Sequence, residues 1–411
     1  MPSVKSVVSK SPTPNPHWAK LPLFDRTGWK RMAFGDFAHS IGDRAEPKDA
    51  QEEIYVGLEH IDPQCLHIRR WGKGSDVTGT KLRFRKGDII FGRRRAYQRK
   101  LAVAEFDGIC SAHAMVVRAR PDKVLPEFLP FLMMSDRFMN RAVEISVGSL
   151  SPTINWSTLK LETFDLPSLK QQRRIAEILW AVDENYQCWQ ETASTASRNR
   201  QAVVAGFMCS RASDSQRLCD LLDEVQYGSS SKCIIQQSNG LYPVLRIPNV
   251  IREQIDFTDL VWSEPTPDVE KYQLAVGDVL IVRTNGNPDY VGRTAVFEGS
   301  DFDQCLFASY LIRLKATRSK LLPHFLHEML GSESVKKEIR KQVKSSAGNY
   351  NLNTEGIRGL RIPVPPVKMQ KELLEELASL SSMVSATRLL AETVKTLNST
   401  FLNSLFGAIT S

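Results

Sequence analysis

Two stretches of the chain carry apolar residues at alternating steps of four and three. In the first, Ile175, Leu179, Val182, Tyr186, Trp189, Ala193, Ala196, Val203 and Phe207 hold the series, interrupted once at Arg200. In the second, Leu373, Leu377, Leu380, Val384, Thr387, Ala391, Val394, Phe401 and Leu405 hold it, interrupted at Asn398. The two series are in register at an offset of 198 residues (175 against 373). A 3.5-residue repeat kept this long drifts off the face of a straight helix unless the helix supercoils with a partner. The pattern therefore predicts two long spacer helices, 167–211 and 365–411, that pair with each other as a coiled coil. An amphipathic helix lying on a domain core is the competing reading.

Outside the helices the pattern changes to short β-rich runs bounded by turn signals, such as "DIIF", "AMVVRA", "VLIV" and "YLIRL". These runs also recur. "KGDIIFGRR" at 86–94 matches "VGDVLIVRT" at 276–284, and "LPEFLPFLM" at 125–133 matches "LPHFLHEML" at 322–330. "FDLPSLKQQ" at 164–172 matches "IPVPPVKMQ" at 362–370, and the order of landmarks never changes. One unit of roughly 190–200 residues is used twice. Each copy is an α/β (α+β) segment, 28–166 and 212–364, followed by its helix. Residues 1–27 precede them as an N-terminal leader, and Pro12, Pro14 and Pro16 predict mobility over residues 1–20. Two equivalent units most simply close about a pseudo-twofold axis, which makes the helices antiparallel and places one domain at each end of a dumbbell. From Ile175 to Phe207 the seam spans roughly 48 Å at about 1.5 Å per residue.

Composition narrows the function. In 411 residues, 42% hydrophobic and 24% charged positions are ordinary globular values. No run of 18 apolar residues and no hydrophobic N-terminal signal appear, which predicts a soluble cytoplasmic protein. The seven cysteines are odd in number and never closely paired, so neither a disulfide framework nor a zinc site is expected. His324 and His327 lack a neighbouring ligand set, and no metal is predicted. The net charge of +8 weakly favours a polyanionic partner. Its distribution says more: residues 81–100, "KLRFRKGDIIFGRRRAYQRK", hold nine Lys or Arg against the single acid Asp88. Arg93, Arg94 and Arg95, with Tyr97 and Arg99, combine guanidinium forks with an aromatic plane, a mixture suited to phosphates and base edges. A solvated basic face is the plainer alternative.

"RTNGNPDYVGR" at 283–293 raises a different possibility. Its Asn287-Pro288-Asp289-Tyr290 is close to a tetrapeptide of enzymes that methylate exocyclic amino groups of DNA bases. Such an enzyme also needs a Gly-rich turn after a strand to hold its cofactor, and the chain contains no Phe-x-Gly-x-Gly, Gly-x-Gly-x-x-Gly or Walker sequence. Nor is there a Gly-x-Ser-x-Gly elbow. Asn-Pro and Gly-Asn pairs are turn formers, and the tetrapeptide reads as a turn in a loop matching "GRRRAYQ" of the first copy.

Taken together, the duplicated "GD-[IV]-[IL]" strands, the polar loops "SVGSLSPTIN" and "SSAGNYNLN", and the helix entries "PSLKQQRRIAEIL" and "PPVKMQKELLEEL" resemble the specificity subunit of type I restriction-modification systems. The resemblance covers nearly the whole chain outside the leader. It implies two target-recognition domains, each reading half of a split, asymmetric double-stranded DNA sequence, with the helices setting the spacing. It also implies two methyltransferase subunits as partners, and motor-nuclease (restriction) subunits through them. S-adenosylmethionine, ATP and Mg would sit on those partners, leaving this chain with no cofactor and no catalytic site.

Residue by residue, the second domain offers Arg283, Thr284, Asn285 and Asn287 opposite the arginine loop, since Asn can pair with adenine N6 and N7. A further set is His60, Arg246 and Asn249, for which strand-edge and turn roles weigh equally. The pre-helix loops add Ser149, Asn155, Asn349, Tyr350 and Asn351. Exposed "QQRR" at 171–174 and "KELLEE" at 371–376 are candidate docking faces. A stand-alone adenine methyltransferase or nuclease, and a two-headed protein scaffold, remain as alternatives.

Overall fold

The computed structural model describes residues 21–251, 254–264, 267–302, 304–346 and 348–407. The leader segment 1–20 lies outside them. The described residues divide into two compact units, one made of those up to 190 and from 389 onward, the other of those within 191–388. Each long helix is thus divided between the two, because each half buries its apolar stripe in the core of one unit.

In the first unit the strands β1 (Ala38–Ile41), β2 (Ile54–Val56), β3 (Ile89–Gly92), β4 (Leu101–Val103), β5 (Gly108–Cys110) and β6 (Ala114–Ala119) build the framework. An antiparallel sheet runs in the order β1-β6-β3-β4. A second sheet includes β2 parallel to β5. Ile89, Phe91, Met115 and Val117 face a helical core shared with α1 (Leu129–Met134), α2 (Asp136–Glu144) and the long helix α3 (Leu169–Ser210). The alternate residues Ile90, Ala102 and Val116 pack against the second sheet with Val56, Phe84 and Cys110. With both faces covered, the strands read as unbroken apolar runs instead of alternating ones.

The second unit contains β7 (Leu222–Tyr227), β8 (Tyr242–Leu245), β9 (Val279–Val282), β10 (Thr284–Asn285), β11 (Thr294–Val296), β12 (Leu306–Phe307), β13 (Leu311–Ala316), β14 (Lys344–Ser346) and β15 (Asn349–Asn351). Its helices are α4 (Pro323–Gly331), α5 (Glu333–Gln342) and the long α6 (Val367–Phe406). The antiparallel order β7-β13-β9-β11 and the parallel pair β8 with β12 repeat the arrangement of the first unit. Val279, Ile281, Ile312 and Leu314 face the helices, while Leu280, Val282 and Ala295 face the other way.

Two recurring motifs have specific structural jobs. In "GD-[IV]-[IL]", Gly87 and Gly277 adopt φ of 89° and 93°, which an L side chain would resist. The aspartate that follows is buried and accepts from a backbone N–H three residues earlier, Arg85 to Asp88 at 2.8 Å and Ala275 to Asp278 at 2.9 Å. Arg118 then forks onto Asp88 at 2.6 and 2.8 Å, and Arg313 lies 3.8 Å from Asp278. In "Pro-x-x-x-x-Gln" the buried amide ties the helix entry to the domain. Gln172 donates to Pro167 O and Lys123 O and accepts from Leu125 N at 2.8–3.1 Å. Gln370 does the same with Pro365 O, Lys320 O and Leu322 N at 2.8–2.9 Å. Every polar atom of each amide is satisfied away from water, so the motif is a clamp. Gln172 is therefore unavailable as a docking residue, whereas Arg173 and Arg174 beside it are exposed.

The predicted seam is the buried stripe of both helices. Ile175, Leu179, Leu373, Leu377 and Val384 are buried, and Val182, Tyr186, Trp189, Leu380 and Val394 half-buried. Off the stripe, Leu389, Leu390 and Leu397 stand exposed. In the first unit Ile175 and Leu179 of α3 share a core with Leu402, Leu405 and Phe406 of α6. In the second, Val204 of α3 shares one with Leu373 and Leu377 of α6. Arg200, which breaks the heptad, is absorbed by polar partners: its Nε donates to Ser381 Oγ at 2.9 Å and a terminal nitrogen lies 2.5 Å from Glu328.

Leu23, Phe24 and Arg26, grouped with the leader on sequence, are held against the protein. Phe24 stacks edge-on against Phe401 with centroids 5.1 Å apart. Arg26 donates to the carbonyls of Gly407 at 2.7 Å and Ser404 at 3.0 Å. The last carbonyls of a helix lack intrahelical partners and carry partial negative charge, which a guanidinium satisfies.

Candidate nucleic-acid interface

In the first unit the arginine loop leaves the end of β3 and meets the pre-helix loop, distant in sequence. Ile154 N donates to Arg93 O at 2.9 Å, Arg95 N donates to Pro152 O at 2.8 Å, and Arg94 bridges Thr153. Thr153 also bridges Val147, which closes a tight loop over 147–153. Arg95 and Arg99 both take left-handed φ, 56° and 52°, on either side of a 3-10 turn at Ala96–Gln98. Ala96 anchors that turn in the core and Tyr97 projects outward, 56% exposed. Arg94 and Arg95 are exposed, as is Ser149. Arg94 Nη1 lies 3.2 Å from His113 Nε2. Burial first, then the charges of Arg94 and Arg93, hold the His113 pKa below its ordinary value, so the ring stays neutral and can accept from the guanidinium.

Two members of this set are less available than sequence suggested. Arg99 pairs with Asp136 at 2.5 Å and donates to Met134 O at 3.2 Å, fixing the turn to the helices below. Arg93 is half-buried, its Nε enclosed without a partner among the described residues. Asn155 is exposed at the N-cap of a short helix without capping it.

The second unit repeats the construction with different side chains. Thr284 and Asn285 of β10 pair with Asn351 and Tyr350 of β15, and β14 completes a three-stranded ribbon. Arg283 is turned inward: its guanidinium lies 4.6 Å over the Tyr227 ring and donates to Ser309 O at 3.3 Å. Asn285 and Asn287 shape the loop, each accepting from the backbone N–H two residues on, at 2.8 and 3.0 Å. Pro288–Tyr290 form a 3-10 turn, so the methyltransferase-like tetrapeptide is a turn. Asn349 is exposed at the ribbon edge.

His60, Arg246 and Asn249 serve their own turns. His60 Nδ1 accepts from Gly57 N at 3.0 Å after β2. Asn249, fully buried, accepts from Arg246 N at 2.7 Å after β8 and donates to Asp256 O and Asp259 O. Arg246 pairs with Asp259 at 3.1 Å. A buried amide with both ends engaged has nothing left for a base edge, so Asn249 leaves the list of DNA contacts. His324 pairs with Glu298 at 2.9 Å and His327 meets Thr294 at 2.9 Å.

Sequence reasoning missed three features here. His113 lies on no recurring motif. Arg293 sits just past the tetrapeptide, and its place over Tyr290 depends on the turn. The merging of each loop with its pre-helix loop is a long-range pairing that no local pattern reports. Among the described residues, no helix is long and apolar enough to cross a membrane.

Residues 27–192 match the type I restriction modification DNA specificity domain. The chain is 25% identical over 290 residues to the type I restriction enzyme EcoKI specificity subunit of Escherichia coli K12, covering 66% of this chain and 62% of that protein. It therefore spans about three fifths of that relative's length. A chain from a solved structure of type I restriction-modification complex assembly and conformational transition superposes with a TM-score of 0.59 at 22% identity, covering 92% of this chain and 98% of that one. The type I S subunit from M. genitalium superposes with a TM-score of 0.58 at 14% identity, covering 93% and 97%. Both share the mixed α/β fold described above.

Proposed function

We propose that the chain is a specificity subunit of the type I restriction-modification kind and that it reads a bipartite, asymmetric DNA target. The segments 28–166 and 212–364 are its target-recognition domains, one per half-site. The helices over 167–211 and 365–411 form an antiparallel spacer about a pseudo-twofold axis and set the distance between half-sites. Two methyltransferase subunits dock on the chain, and motor-nuclease subunits join through them in the cytoplasm. S-adenosylmethionine, ATP and Mg are used on those partners, and this chain carries out no chemistry.

The observation that carries this reading is the pair of loop junctions. Each unit joins a loop from its central sheet to its pre-helix loop and exposes polar side chains there, and the two sets differ in chemistry. Arg94, Arg95 and Tyr97 suit phosphate contacts and guanine edges. Asn287 and Asn349 suit adenine. Different chemistry on similar frames is what an asymmetric target requires. Genome-wide mapping of adenine methylation, with and without this chain, tests the proposal. A split motif that disappears with the chain supports it, and an unchanged methylome overturns it. Replacing 212–364 by the same segment of a relative should change one half of the motif only.

A further inference from the structure

The stretch "RTNGNPDYVGR" ends in a residue whose surroundings are unusual for an arginine on a loop. The guanidinium carbon of Arg293 lies over the Tyr290 ring, 3.6 Å from its centroid. Arg293 Nε donates to Asp289 O at 3.3 Å. These two contacts use one edge and one face of the planar group. Among the described residues no carboxylate pairs with it, and its two terminal nitrogens have no protein partner. Tyr290 itself is 38% exposed, so the stack lies at the surface.

The turn that precedes it builds this platform. Asn285 and Asn287 each hold the backbone two residues on, Pro288 fixes the entry to the 3-10 turn, and Tyr290 closes it. The backbone of Arg293 is anchored in turn, with Val282 N donating to Arg293 O at 2.8 Å beside the β9 end. A stacked guanidinium has already lost most of its rotamer freedom, so little more is lost when its fork engages a ligand.

We propose that Arg293 is a base-reading residue of the second unit, held by Tyr290 so that its two terminal nitrogens fork onto O6 and N7 of one guanine. This rests on the reading of the chain as a DNA-recognition subunit. It gives the Asn-Pro-Asp-Tyr turn a purpose, and it replaces Arg283, which faces Tyr227 and the interior, as the arginine of that half-site. A lysine could not substitute: it supplies a point charge and neither the plane nor the fork.

The test uses the full chain assembled with its methyltransferase subunit and a pool of DNA duplexes randomised over both half-sites, with the bound fraction sequenced. If the wild-type complex selects no split motif, the recognition reading itself fails, and that outcome is separate from any variant. Given a motif, Arg293→Ala and Arg293→Lys should each reduce the preference for G at one position of one half-site by about tenfold to a hundredfold, leaving the other half-site unchanged. Tyr290→Phe should keep the preference, and Tyr290→Ala should weaken it at that same position. Uniform loss of binding to all sequences, full selectivity in Arg293→Lys, or no change in either arginine variant would overturn the proposal. Unchanged selectivity in Tyr290→Ala would overturn the platform. Melting curves for all four complexes establish that they remain folded.

Discussion

The two units share a frame and differ in how the space beside the long helices is filled. In the first, the loop after β2 is tied onto α3. His67 lies 2.6 Å from Asp183 and 2.7 Å from Glu105, and Arg69 reaches Gln187 and, at 3.1 Å, Gln190. In the second, Ser381 and Arg388 stand, by the 198-residue offset, where Asp183 and Gln190 stand. There the corresponding ground is a cavity of about 830 Å³ lined by Arg200, Glu328, Ser381 and Arg388. The clamps at Gln172 and Gln370 use equivalent partners, and Asp88 and Asp278 each accept from the backbone N–H three residues earlier, although only Asp88 is forked by an arginine. Side chains that hold the frame are thus constrained in both units, while loops that reach outward or sideways have diverged.

The sharpest test of the shared frame is the glutamine clamp. Gln172→Ala and Gln370→Ala should each destabilise the protein by about 2–4 kcal/mol, since each removes the partner of three backbone groups, one of them buried. Chemical denaturation of the two variants should give similar losses; a large difference would break the equivalence of the units.

A pH dependence should separate them. Hydrogen bonding to Asp183 foremost, and to Glu105, raises the His67 pKa from 6.5 to about 9 against the opposing effect of burial. A raised pKa means the clamp contributes its full stability below pH 6.5 and loses it as pH climbs through about 9. Thermal melts of the wild type should therefore fall between those values, and His67→Gln should flatten that fall. An unchanged slope in the variant would remove His67 as its source.

In binding, Arg94→Ala should cost about 1–3 kcal/mol and relax one position of the first half-site if it reads a base. Equal weakening across all sequences would assign it to phosphate instead. Competition binding with a randomised half-site distinguishes the two. The smallest effect is expected for Arg99→Ala: a partly exposed ion pair with Asp136 contributes about 1 kcal/mol, so stability should drop modestly while sequence preference holds. A changed motif in that variant would return Arg99 to the reading set.

Much of this molecule was legible in its residues. The heptads of 175–207 and 373–405 named the buried stripe of both helices, and the doubled "GD" and "Pro-x-x-x-x-Gln" landmarks pointed to two fixtures that recur in the structure, a glycine turn with a buried aspartate and a glutamine clamp at the helix entry. Such signals are local: they follow from helix periodicity, from a backbone turn that needs glycine, and from an amide placed five residues past a proline. The site was legible only in outline. Arg94, Arg95 and Tyr97 stand outside as their composition suggested, but Arg99, Arg283 and Asn249, equally plausible by residue type, were drawn inward.

What separates the two groups is which partner the fold brings near. Asp136 for Arg99, Tyr227 for Arg283 and the Asp256 and Asp259 carbonyls for Asn249 come from other elements or from the far side of a turn. Periodicity dictates which face a residue occupies, because it depends on backbone geometry alone. Whether a polar side chain is used up by the protein or left for a ligand depends on atoms that only three-dimensional packing brings within hydrogen-bonding distance.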